Sequence, residues 1–149
     1  MRTAYRVFAY IIAAEVVVQA AAMAFAVAGL FNWIDKEGGV LDKAAIDSEV
    51  EFTGVVGFII HGMNGMMLIP LIALTFLIIS FFAKVPGGVM WAGIIVGLVA
   101  LQVTLGLLGS EGPIFGMLHG ANALAIFAVA IMAGMRAKTD LPARAPATV

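Results

Sequence analysis

Residues 52–83 read FTGVVGFIIHGMNGMMLIPLIALTFLIISFFA, with no Asp, Glu, Lys or Arg among them. A helix needs roughly 20 apolar residues to cross the hydrocarbon of a bilayer, and this run is longer. It predicts a spanning helix that tilts, projects beyond the hydrocarbon, or begins with a short interfacial turn. Three further uncharged segments lie around it: 7–34, broken only by Glu15, then 85–110 and 112–135. The pattern predicts helices near 6–31, 53–82, 88–109 and 113–135. The fold class expected is all-α: an integral membrane four-helix bundle, up-down-up-down, in one domain over 1–139. The tail 140–149 is polar and proline-containing, and is expected to be disordered.

Composition agrees. Of 149 residues, 63% are hydrophobic and 11% charged, and mean hydropathy is +1.11. A water-soluble domain of this size has no interior large enough to hide so much apolar surface, so the lipid bilayer is the expected partner. Net charge is −1 with no basic cluster, which argues against nucleic acid. The absence of cysteine excludes disulfides, thiolate-held iron–sulfur clusters and cysteine nucleophiles. There is no P-loop, no G-x-S-x-G and no H-E-x-x-H.

Basic residues set the orientation. Arg2, Arg6, Lys84, Arg136, Lys138 and Arg144 fall on one side of the four spans, Lys36 and Lys43 on the other. By the positive-inside rule both termini are cytoplasmic, and the expected location is the bacterial plasma membrane. Arg2, Arg6 and Ala24-Phe25-Ala26 imitate a signal peptide, but Glu15 in the middle of the apolar stretch argues against cleavage. The long outer loop 32–52 is acidic. Within it Trp33 reads as a headgroup anchor and DKAAIDSEVEF as a short surface helix. Residues 84–88 read as a tight inner turn, and Pro113 as the opening of the last helix.

The chain's two histidines share one setting: His61-Gly62-Met63-Asn64-Gly65 and His119-Gly120-Ala121-Asn122-Ala123. The second and fourth spans run in the same direction. At about 1.5 Å of rise per residue both imidazoles lie roughly 10–13 Å below the outer surface. At about 100° per residue Asn64 and Gly65 flank His61 on its own face, and Asn122 and Ala123 flank His119 likewise. Gly57 and Gly116 extend the two faces. A histidine that merely hydrogen-bonds across a helix interface is the bland alternative. Two in a repeated H-G-x-N context at one depth point instead to a shared ligand, since ionisable groups inside membranes are rare and usually functional. Small residues around each imidazole give a flat macrocycle clearance. His61 and His119 are therefore the expected metal ligands, one on each side of a heme b. Gly57, Asn64, Gly65, Gln102, Gly116, Asn122 and Ala123 are expected to line it.

The segment LQVTLGLLGSEGPIFGMLHGANALAIF, residues 101–127, resembles the third-to-fourth helix region of heme A synthases. Gln102, Leu105, Gly106 and Leu118-His119 carry the likeness. The separation of His61 and His119 is also similar to that of the histidine pair in one four-helix half of that family. The resemblance implies a heme-holding four-helix module. Gly62 stands where the family often has arginine, and Phe58 where its catalytic half carries glutamate, so hydroxylating activity is not implied.

Glu15 raises a competing reading. It lies near mid-membrane with Gln19 one turn further on the same face. An ionisable group there costs about 3 kcal/mol on insertion scales. A carboxyl bonded to Gln19 or Gln102 is one expectation; a proton site formed by Glu15 and Gln19, serving a quinone or a transported cation, is the other. The Ala14-Glu15-Val16 setting resembles the first helix of small multidrug-resistance transporters, which exchange protons for cationic drugs. A third reading is an accessory subunit of a larger membrane complex, packed by faces such as Gly57, His61 and Gly65. The preferred expectation is a b-type cytochrome carrying single electrons between quinol and an outer-side redox partner.

Overall fold

Nothing between Arg2 and Lys36 interrupts a helix: the stretch holds no proline and one glycine, Gly29. In the computed structural model, which describes residues 1–48 and 50–137, it forms α1, Arg2–Lys36. The helix expected over 6–31 is thus longer at both ends. Its polar terminal turns stay helical because the backbone bonds to itself there. The helix stops where Gly38 takes φ 70° and the Gly39 N–H returns to the Trp33 carbonyl at 3.1 Å. The tail 140–149, with Lys138, Arg144 and Glu49, lies outside the described residues. The expected surface helix is α2, confined to Lys43–Asp47, with Asp42 Oδ1 accepting from the Ala45 N–H at 2.8 Å.

The second span runs as one helix over Val55–Ala83 but carries a π-helical turn, which the apolar pattern did not predict. Its parts are α3 (Val55–Met63), a π-helical turn (Asn64–Leu68) and α4 (Ile69–Ala83). Pro70 supplies the reason. It has no N–H to give, and its ring collides with the carbonyl four residues back. The widened turn absorbs that collision, and the Ile69 N–H reaches back five residues to the Asn64 carbonyl. The turn 84–88 forms as expected, with Lys84 and Gly87 at φ 52° and 68°. It leads into α5 (Gly88–Leu107), whose expected end at 109 tightens into a 3₁₀ turn over Gly109–Glu111. Pro113 then opens α6, Pro113–Arg136.

Packing runs round a ring. α1 contacts α3, α4 and α6; α4 packs on α5, and α5 on α6. The second and fourth spans therefore sit diagonally. Arg2 donates to the Lys84 carbonyl at 2.7 Å, Tyr5 Oη to the Gly88 carbonyl at 3.2 Å, and the Arg136 guanidinium lies over the Trp91 ring. These contacts gather the start of α1, the 84–88 turn and the end of α6 at one end of the bundle. The apolar core fills that half. Tyr5 and Phe76 rings lie 4.6 Å apart, among Ile12, Ile95 and a set of alanines that let the helices close in. Leu71, Phe81, Phe82 and Leu124 point outward, each more than 60% exposed. Such a surface suits lipid, and all four spans are long and apolar enough to cross a membrane.

Candidate functional site

Both histidines, both glutamines, Glu15, Asn64 and Asn122 gather in the other half of the bundle. His61 on α3 and His119 on α6 meet across the diagonal, with ring centroids 5.9 Å apart and planes tilted by 54°. Each ring is held from behind by the preceding span. His119 Nδ1 lies 3.0 Å from the Gln102 carbonyl of α5, and His61 Nδ1 3.3 Å from the Gln19 carbonyl of α1. A backbone carbonyl accepts only, so Nδ1 of His119 carries the proton in its bond to Gln102. Nε2 of His119 is left with its lone pair, the nitrogen a metal binds.

The asparagines brace the same helix pairs. Asn122, buried, donates through Nδ2 to Gln102 Oε1 at 2.7 Å and to the Leu98 carbonyl at 2.9 Å. Asn64 donates to Glu15 Oε2 at 2.7 Å. With the Gln19 amide oriented by its partners, its oxygen accepts from Asn64 Nδ2 and the Gly65 N–H, both at 3.1 Å. Its nitrogen then donates to the His61 carbonyl at 3.1 Å and to His61 Nδ1 at 2.6 Å, so in this orientation that ring nitrogen accepts. The Gln19 amide thus clasps the chain where α3 passes into the π-helical turn. Asn64 Oδ1 is buried without a partner.

Glu15 is bonded to neither Gln19 nor Gln102, contrary to the first expectation for it. Gln19 is taken up by His61, Asn64 and Gly65, and Gln102 by Asn122, so the carboxylate meets Asn64 instead. Gly57 serves the α1 crossing: a Cβ there would stand 2.4 Å from the Ala22 carbonyl. Gly65 faces the Gln19 amide. Apart from their chain neighbours and their own helix backbone, Gly62, Gly116 and Gly120 have no heavy atom within 4 Å of where a Cβ would lie, so these positions face open space. Ala123 is half-buried and makes no polar contact. Gly106 was outside the expected lining, although the sequence places it one turn after Gln102. A Cβ on it would come within 3.2 Å of His119 Cε1, so its missing side chain makes the seat for that ring.

Among the described residues, no three His, Cys, Asp or Glu converge as a metal site. An apolar cleft of about 420 Å³ opens between α4 and α5, lined by Met66, Pro70, Ala73, Val99 and Val103 among others. No protein-family model, curated protein or solved structure matches the chain.

Proposed function

We propose that this protein is a membrane b-type cytochrome, with one heme held by His61 and His119 and one electron carried at a time. The observation that carries the reading is the histidine pair itself. Two imidazoles meet across the diagonal, and His119 offers Nε2 because its Nδ1 rests on the Gln102 carbonyl. With metal–nitrogen bonds of about 2 Å, two imidazoles on opposite sides of one ion have centroids about 6 Å apart. The 5.9 Å separation suits that donor set. The open surfaces at Gly62, Gly116 and Gly120 suit a flat group wider than the helices that hold it. The likeness of residues 101–127 to heme A synthases agrees.

When bound, the heme supplies a one-electron iron couple; the polypeptide supplies everything else. Gln102 fixes the tautomer of His119 through its carbonyl, and a hydrogen bond to the far nitrogen also makes an imidazole a stronger donor. Gly106 and Asn122 hold His119 and its neighbour helix in register. The apolar spans keep water away. Under the positive-inside rule the clustered Arg2, Arg6, Lys84 and Arg136 face the cytoplasm of a bacterial plasma membrane. The histidines then lie toward the outer leaflet, where quinol and an outer-side redox partner are within reach.

Absorption spectra of the purified full-length protein, oxidised and dithionite-reduced, test the reading. A Soret band with low-spin visible bands is expected, and His61→Ala or His119→Ala should each abolish the low-spin bands. A wild type that stays colourless after expression with ample heme refutes it. So do unchanged low-spin bands in both variants.

A further inference from the structure

The site repeats itself. In each half a glutamine on one span gives its carbonyl to a histidine on the next, and asparagine lies three residues after that histidine in both. The asparagine reaches the same glutamine's amide oxygen, Gln19 for Asn64 and Gln102 for Asn122. Its second bond goes to the residue four before the glutamine. In one half that residue is Leu98, which uses its backbone carbonyl; in the other it is Glu15, which uses its side-chain carboxylate. The chain holds two glutamines and two histidines, all of them in this constellation. Glu15 is the point at which an otherwise matched pair of half-sites departs from symmetry, and the departure introduces a group that can carry a proton.

From this we infer that Glu15 is the site's proton-uptake group, reached from the electron-carrying centre through Asn64, Gln19 and His61; the inference rests on the proposed heme. One electron from a quinol-class donor lowers the charge of the centre by one. In a low-dielectric interior that change is weakly screened. The Glu15 carboxylate then takes one proton from solvent, and electron and proton leave together on reoxidation, so net charge is conserved. Few other groups compete. Of the elements packed on α1, α3 brings His61 and α6 brings His119 and, at its far end, Arg136, while α4 carries no titratable residue. α1 itself adds Tyr10, set against Gly134, and no further charge between Arg6 and Asp35. Neutral Glu15 keeps an oxygen for Asn64, and its new O–H can turn to the unpartnered Asn64 Oδ1.

Redox titration of the heme-loaded wild type and of Glu15→Gln over a series of pH values tests this. Gln retains an oxygen that accepts from Asn64 and cannot titrate. The wild-type midpoint potential should fall as pH rises across the coupled range. Full one-proton coupling corresponds to about 59 mV per tenfold change in proton concentration. Glu15→Gln should lose most of that slope while retaining its low-spin bands. Equal slopes in the two proteins overturn the assignment and leave the heme reading standing; a wild type without a Soret band overturns both. If Glu15→Gln does not hold heme, reduced-minus-oxidised infrared spectra of the wild type and Glu15→Asp decide. A protonated-carboxyl band that appears on reduction and moves in Glu15→Asp supports the assignment, and a band indifferent to that substitution defeats it.

Discussion

Truncating the two asparagines should have unequal effects, although they occupy matched places in the sequence. In Asn122→Ala two hydrogen bonds vanish, to Gln102 Oε1 at 2.7 Å and to the Leu98 carbonyl at 2.9 Å, from a residue only 8% exposed. Side-chain hydrogen bonds between membrane helices average about 0.6 kcal/mol and reach about 1.7, so the pair contributes about 1–3 kcal/mol. The upper part of that range is expected here, because Gln102 Oε1 is left without its donor in hydrocarbon. Asn64→Ala also removes two donations, to Glu15 and to Gln19, but it deletes the buried, unpartnered Oδ1 as well. That deletion offsets part of the loss, but the Glu15 carboxylate is left without its donor, which costs more than an orphaned amide oxygen, so Asn64→Ala should cost more than Asn122→Ala, about 3 kcal/mol. SDS-driven unfolding in mixed micelles, followed by far-ultraviolet circular dichroism, measures both. A double-mutant cycle of Asn122→Ala with Gln102→Ala should return a coupling of about 0.5–1.5 kcal/mol for the direct bond. A coupling near zero, or Asn64→Ala costing less than Asn122→Ala, would refute the reasoning.

Other substitutions probe other joints. Gly106→Val places carbon within 3.2 Å of His119 Cε1, so it should displace the ring from the Gln102 carbonyl and lower heme content several-fold, read as the Soret-to-protein absorbance ratio. Gly57→Val forces α1 and α3 apart where a Cβ already meets the Ala22 carbonyl at 2.4 Å; a loss of about 2 kcal/mol or more is expected by the same unfolding assay. Cysteines placed at Asp42 and Ser110 should react with an impermeant maleimide added to intact cells, and one at Lys84 should not; reversed labelling would put the histidines nearer the cytoplasm.

Four spans were legible because the signal is summed: each uncharged run is long enough that a few polar residues do not erase it. The histidine pair was legible from its repeated context and matched depth. The π-helical turn in the second span was not, although Pro70 stands in the run as its visible cause. A proline in a membrane helix can be met by a bend, a bulge or a neighbour's side chain, and sequence alone does not choose among them. The carbonyl partners of the histidines also escaped notice, since every residue has a carbonyl and only packing decides which one faces an imidazole. A countable cue existed for the glutamines: two of them, one to each H-G-x-N, in spans with few other polar groups.

That pairing explains how so polar a centre is tolerated in an apolar bundle. Each polar group left alone in hydrocarbon would cost several kcal/mol. Here glutamine and asparagine bond to each other within a helix pair, with Asn64 Oδ1 the buried exception, and each histidine lies against a backbone carbonyl. Across the diagonal the two histidine rings then meet. The π-helical turn fits the same logic. It lies in the half that contains Glu15, and the clasp of the Gln19 amide on the His61 carbonyl and the Gly65 N–H steadies a helix that Pro70 has loosened. The half with Leu98 has an unbroken helix and needs no such clasp, so its glutamine is free to hold Asn122 alone. Chemical asymmetry and helical asymmetry thus coincide on the His61 side, and that is the side on which proton and electron are expected to meet.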